Sequence, residues 1–221
     1  MLVVSLRAAD HMPGSILGCT GARGTFITPE SVSITDRSHV VSYSASGINN
    51  APLCLKWMLV FEEPETKTLW LGKAVPRAWL AGTEAPLSVR NATTRYGRVS
   101  FAMQVAAAAQ GSAAYAVKVS VAVPVGWSTA AGRPAGGLSV RVRAPLEHAG
   151  KMSGVTVGGK AWAGFDAATE TVAFSTEQLA GSLVMRGGLQ DIVVSFGAHT
   201  ATPLRRAPVD QARGAAFIQT S

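Results

Sequence analysis

Four histidines, two cysteines, five tryptophans and a scatter of carboxylates and arginines are the side chains of this chain that could do chemistry. His11, His39, His148 and His199 stand far apart, and none has a Cys, His or carboxylate at ligand spacing within one element, so no metal site is expected. Nucleophilic catalysis finds no support either. Gly-x-Ser-x-Gly does not occur, and neither Cys19 nor Cys54 has a histidine partner visible in the sequence. Asp166 and Glu170 are the one carboxylate pair that glycoside hydrolysis could use, but four residues apart around a strand start they read more simply as turn residues. Glu62, Glu63 and Glu65 crowd a single turn. No Gly-rich loop lies between a strand and a helix as a phosphate cradle requires, and Gly158-Gly159 reads as a tight turn between strands. No catalytic residue and no cofactor is assigned.

Aromatic faces and arginine forks are the remaining recognition chemistry. Trp57 and Trp70 lie inside apolar runs and read as core, as does Cys54. Trp79, Trp127 and Trp162 adjoin loops. Each suits a core cap, and the sharper alternative is a platform on which a sugar ring stacks. Arg95, Arg98, Arg141 and Arg143 would be the polar partners of such a platform, because a guanidinium pairs in a fork with carboxylate or sulfate. Arg141 and Arg143 fit equally well on a solvated strand face.

The elements that must position these groups are strands. In GLSVRVRAP, Leu138, Val140 and Val142 alternate with Ser139, Arg141 and Arg143, which is the wall of a half-buried sheet. The clearest pattern is a hairpin. Val99, Phe101, Met103 and Val105 alternate with polar or small residues, and so do Tyr115, Val117, Val119, Val121 and Val123. A turn centred near Gln110 makes paired numbers sum to about 220, so odd faces odd and both apolar rows share one side. Cys54–Phe61 is apolar on both faces except for Lys56, and reads as a central strand covered on both sides. Val32–Ile34, Val40–Tyr43, Leu69–Leu71, Thr171–Phe174 and Ile192–Phe196 add further strands. Pro76 opens a brief helical turn to Leu80, and Thr176–Ala180 suits another. The fold class is therefore all-β: an antiparallel, jelly-roll-like β-sandwich with at most one or two short helical turns. Residues 1–24 read as a connector or the end of a preceding element, 25–200 as the sandwich, and 201–221 as a flexible basic tail.

Four segments carry a resemblance. They are LWLGKAVPRAWL (69–80), NATTRYGRVSF (91–101), LSVRVRAP (138–145) and VTVGGKAW (155–162). In this order, across residues 60–175, they resemble the β-sandwich region that ends large six-hairpin, (α/α)-barrel glycosidase-like proteins. The resemblance implies a catalytic acid and base in the helical barrel, whose repeated hairpins are absent here. It therefore carries over no catalytic residue and implies an ancillary domain or partial product of a carbohydrate-active protein.

Totals bound the partners. A chain of 221 residues buries enough surface to need no disulfide or metal. The formal charge of +7 comes mostly from dispersed arginines, with no basic block interleaved with aromatics, so nucleic acid is not an expected partner. No run is long enough to cross a bilayer, and Met1–Leu6 lacks the basic leader of a secretion signal. The expected partner is a polysaccharide or an adjacent catalytic domain. The alternative is a structural or protein-interaction sandwich that binds no glycan.

Overall fold

The computed structural model of the chain describes residues 3–5, 45–82, 85–106, 115–180, 184–185, 188–189 and 191–197. Met1–Ala9 with Lys56–Ala201 form one compact unit, and Asp10–Leu55 with Thr202–Ser221 a second. Of the second unit only residues 45–55, the first part of helix α1 (Ala45–Leu59), are described. The strands expected at Val32–Ile34 and Val40–Tyr43, the turn near Gln110 and the tail at 201–221 lie outside the described residues.

The first unit is built from strands. In chain order they are β1 (Val3–Ser5), β2 (Val60–Glu62), β3 (Leu69–Leu71), β4 (Leu87–Thr94), β5 (Gly97–Val105), β6 (Tyr115–Ala122) and β7 (Leu138–Arg141). Then follow β8 (Met152–Val157), β9 (Lys160–Ala161), β10 (Phe165–Asp166), β11 (Thr171–Phe174), β12 (Val184–Met185), β13 (Gly188–Leu189) and β14 (Ile192–Phe196). They make a nine-stranded sheet in the order β1-β4-β5-β6-β14-β8-β9, which the β12–β13 hairpin joins through β6, and a five-stranded sheet in the order β10-β11-β7-β3-β2. The all-β, sandwich-like architecture follows from the two-residue period. Odd residues Val99, Met103, Val117 and Val119 are 0% exposed, with Lys118 and Ser120 turned to water between them. Each such side chain contributes roughly 1.5–3 kcal/mol by leaving water. The β5–β6 register pairs Phe101 with Val121 and Met103 with Val119, so odd faces odd as the alternation requires.

The sheets meet closely beside β3. Gly72, at φ +69°, has no room for a side chain, because a Cβ there would lie 2.7 Å from Met103 Cε and 2.8 Å from the Arg141 carbonyl oxygen. Gly158 and Gly159, at φ +57° and +77°, make the expected tight turn between β8 and β9.

Four features depart from the sequence reading. Val3–Ser5, within the stretch read as a connector or the end of a preceding element, is a strand of the large sheet, paired with β4. The β3–β7 pair is parallel in otherwise antiparallel surroundings. Five short 3-10 turns lie among the described residues, at Arg77–Leu80, Val125–Ser128, Ala130–Gly132, Leu146–His148 and Gln178–Ala180, more than the one or two expected. Fourth, the apolar run 54–61 is helix up to Leu59 and strand only from Val60. A run apolar on both faces fits a helix as well as a buried strand, and length does not arbitrate when one element passes directly into the next. Leu59 is 0% exposed, whereas Cys54 is exposed and Trp57 is 49% exposed, so neither of the latter two is core. The orphan carbonyls at the helix end are satisfied by the turn after β3: Gly72 N–H donates to Leu59 O at 2.7 Å and Ala74 N–H to Met58 O at 3.0 Å. No helix among the described residues is long and apolar enough to cross a membrane.

Candidate functional site

In the small sheet the alternation sends Leu69, Leu71, Leu138, Val140, Val172 and Phe174 inward, each at most 1% exposed. Cross-strand register then places Phe61 beside Trp70, Trp70 beside Ser139 and Ser139 beside Ala173 on the other face. Phe61 and Trp70 are both half-buried there, with Ser139 covered between its neighbours and Ala173 exposed. Arg141 follows two residues after Ser139 and shares this outer face. Just past β3, the Lys73 ammonium sits 4.0 Å from the Phe61 ring centroid and 5.1 Å from that of Trp70, and 2.8 Å from Glu63 Oε2. Two aromatic rings and a cation therefore occupy adjoining positions of one sheet face.

At the end of β7 the chain leaves the sheet and brings three guanidinium groups together. Arg141 Nε donates to Thr169 O at 2.9 Å and its Nη1 to Lys73 O at 3.4 Å. Arg143 Nη1 donates to Val75 O at 3.2 Å. Arg77, in the 3-10 turn that Pro76 opens, bonds through Nη1 to the Ala144 carbonyl and to Glu170 Oε1, the latter at 3.0 Å. Glu170 is only 1% exposed; its Oε1 also accepts from Gly150 N–H at 2.8 Å, while Oε2 lies 2.7 Å from Arg77 Nη1 without hydrogen-bond alignment. Burial lowers the pKa of Arg143, and the neighbouring Arg77 and Arg141 charges lower it further, with Glu170 opposing them.

The aromatic residues singled out in the sequence fall elsewhere. Trp79 is 8% exposed and Trp127 0%. Trp127 also donates Nε1 to Tyr96 O at 2.9 Å, so in this conformation it closes the core and offers no ring face to a sugar. Trp162 is half-buried at the β10–β11 edge, its Nε1 shared between Gly164 O and Ala173 O at 3.2 Å each and its ring 5.0 Å from Phe174. Arg95, at the β4–β5 turn, pairs with Glu62 at 2.8 Å, and Arg98 is exposed on β5. Of the four arginines, the structure brings Arg141 and Arg143 together and leaves Arg95 and Arg98 at another place in the sandwich. Phe61, Lys73 and Arg77 were not singled out in the sequence, and Trp70, read there as core, is half-buried on the outer face, as the parity of Leu69-Trp70-Leu71 allows.

Asp166 and Glu170 do not form a matched pair. Asp166 is a solvated turn residue that accepts from Thr169 Oγ1 at 2.8 Å and Ala168 N–H at 2.9 Å, and these bonds hold its carboxyl below the usual range. Glu170 is buried against Arg77. No cluster of three or more metal-ligating side chains exists among the described residues.

These features define a sandwich-like all-β domain with an aromatic and basic outer face on its smaller sheet. No protein-family model, no curated protein and no solved structure matches the chain.

Proposed function

We propose that this sandwich is a non-catalytic ancillary domain of a carbohydrate-active, glycosidase-like protein, and that it contacts glycan through the outer face of its small sheet. The observation that carries the reading is the pairing of half-buried Phe61 and Trp70 on adjacent strands. Sugar rings present C–H-rich faces that stack on aromatic faces, and two rings held by a rigid sheet lose little entropy on binding. Lys73 lies over both rings, yet it is easily moved. Its ion pair with Glu63 is part-exposed, with side chains 32% and 25% accessible, and such a pair contributes only about 0–1 kcal/mol.

Migration through a native gel containing soluble polysaccharide tests the reading. The intact protein is retarded by at least one polymer, and Trp70→Ala abolishes the retardation while the variant still melts cooperatively. Unretarded migration of the parent across a broad panel of polymers, or equal retardation of Trp70→Ala, overturns it.

A second reading, an interaction module that meets another protein domain, draws on Trp57 in the last turns of helix α1, which is 49% exposed. It requires no retardation by any polysaccharide, and it makes Trp57→Ala, not Trp70→Ala, the disruptive substitution for association with the neighbouring domain.

A further inference from the structure

Around the end of β7, Lys73 and Arg77 pair with Glu63 and Glu170, while Arg141 and Arg143 have no ion-pair partner among the described residues. Surface arginines usually leave such charge to water. Here Arg143 is half-buried, and its Nε, sealed from solvent, has no hydrogen-bond partner among the described residues, a state shared by Nε and Nη1 of Arg133 elsewhere in the chain. A buried N–H without an acceptor costs free energy, and a buried cationic one more. We infer that Arg141 and Arg143, backed by Arg77, form an acceptor for the acidic groups of a polysaccharide, its uronate carboxylates or its sulfate esters. This rests on the glycan reading of the adjoining Phe61–Trp70 face and names the class of glycan that face receives.

Three physical features support an oxyanion on a polymer. A guanidinium carries five N–H donors in a planar fork that fits carboxylate and sulfate two at a time. Among the described residues Arg141 commits two donors and Arg143 one, all to backbone carbonyls. Those carbonyls fix the forks before anything binds, so less ordering entropy is lost on association. The two arginines also stand two residues apart at the end of β7, and their donors reach two carbonyls of one neighbouring segment, those of Lys73 and Val75. They adjoin the aromatic row instead of standing alone, which suits a chain whose ring stacks while its acidic substituent reaches the forks. Lys73 links the two parts, since an acidic substituent would draw its ammonium off the aromatic rings that it covers.

Two pairs of polymers isolate the charge from the sugar: dextran against dextran sulfate, and polygalacturonate against its methyl ester. The parent chain is retarded about tenfold more by each acidic polymer than by its neutral counterpart, as expected from losing one or two charge-assisted hydrogen bonds, and the difference shrinks as salt rises. Which acidic polymer retards more strongly separates sulfate from carboxylate. Arg141→Gln with Arg143→Gln removes the advantage of the acidic polymers and leaves retardation by the neutral ones intact, whereas Trp70→Ala weakens both. Arg143→Lys, which keeps the charge and loses the fork, recovers only part of the advantage. Equal retardation of the parent by charged and neutral members of each pair overturns the inference while sparing the glycan reading, and this comparison needs no variant to fold. Retardation by the acidic polymers that is unchanged in the double variant also overturns it, as does tighter retention by single-stranded DNA than by either acidic polymer. Failure of every polymer to retard the parent removes the glycan reading itself.

Discussion

The inner and outer faces of β3 and β7 are one residue apart in sequence and behave in opposite ways. Leu69, Leu71, Leu138 and Val140 are sealed between the sheets, while Trp70 and Arg141 stand half-open on the other side. The period of two that builds the wall also sorts the side chains by task. Inner positions hold the fold by filling volume; outer ones keep rings and forks reachable at little cost to it. Large aromatic residues occur on both sides, so residue type does not separate the tasks. Burial does.

The largest test of this contrast compares two tryptophans. Trp127→Ala empties a fully buried site and orphans the Tyr96 carbonyl, and is expected to cost about 3–5 kcal/mol in denaturant unfolding. Trp70→Ala, on the open face, should cost less than half of that. Comparable losses would mean that the outer face is structural too, and the division between the faces would collapse.

A smaller effect is expected where the arginine cluster touches the interior. Glu170→Gln leaves Arg77 with a neutral partner. Removing one member of a fully buried pair typically costs about 3–5 kcal/mol. Arg77 is 22% exposed, however, so water screens part of the loss and about 2 kcal/mol is the better expectation. Arg77→Met added to Glu170→Gln should restore some of that stability, because no unpaired charge remains. A double variant as unstable as the sum of the two singles would show that the pair is not coupled.

Most of the wall was legible in the sequence because alternation depends only on local parity. The β5–β6 register shows this: paired numbers sum to 222, as in Phe101 opposite Val121, close to the expected sum. What parity could not supply is which strand lies beside which. Phe61 and Trp70 become neighbours only through the β2–β3 pairing, and Arg77 reaches Glu170 across 93 positions of chain. Of the two roles open to Trp79 and Trp127, the core cap is the one their burial fits, because short 3-10 turns fold both rings back onto the core. Trp57 was misjudged, because an apolar run was taken for a strand when it was helix, and a helix end leaves one side in water.

The two regions should also separate by pH. Tyr115 donates its hydroxyl to the Leu80 carbonyl and stacks 4.8 Å from His148. Burial, aided by Glu147, raises its pKa above the ordinary 10.0. With the folded value raised, the stability this neutral phenol contributes is complete below pH 10.0 and is lost as pH climbs beyond it. Thermal melts should therefore fall on the alkaline side, and Tyr115→Phe, which has no proton to lose, should flatten that fall. An identical alkaline fall in Tyr115→Phe would assign it elsewhere.

Asp166, at the edge of the small sheet, gives the smallest effect and the opposite sign. Its folded pKa is depressed by the Thr169 hydroxyl first and the Ala168 and Thr169 amides next. Its contribution is therefore present above the ordinary carboxylate value of 3.8 and disappears as pH falls through the lower folded value. Asp166→Asn keeps an oxygen for the Ala168 amide at nearly the same size, so the turn survives and only the charge is removed. The parent should melt slightly above Asp166→Asn at neutral pH, and the gap should narrow as pH drops below 3.8 and close once it has passed the lower folded value. A gap that persists unchanged into acid would mean that the turn depends on oxygen geometry alone.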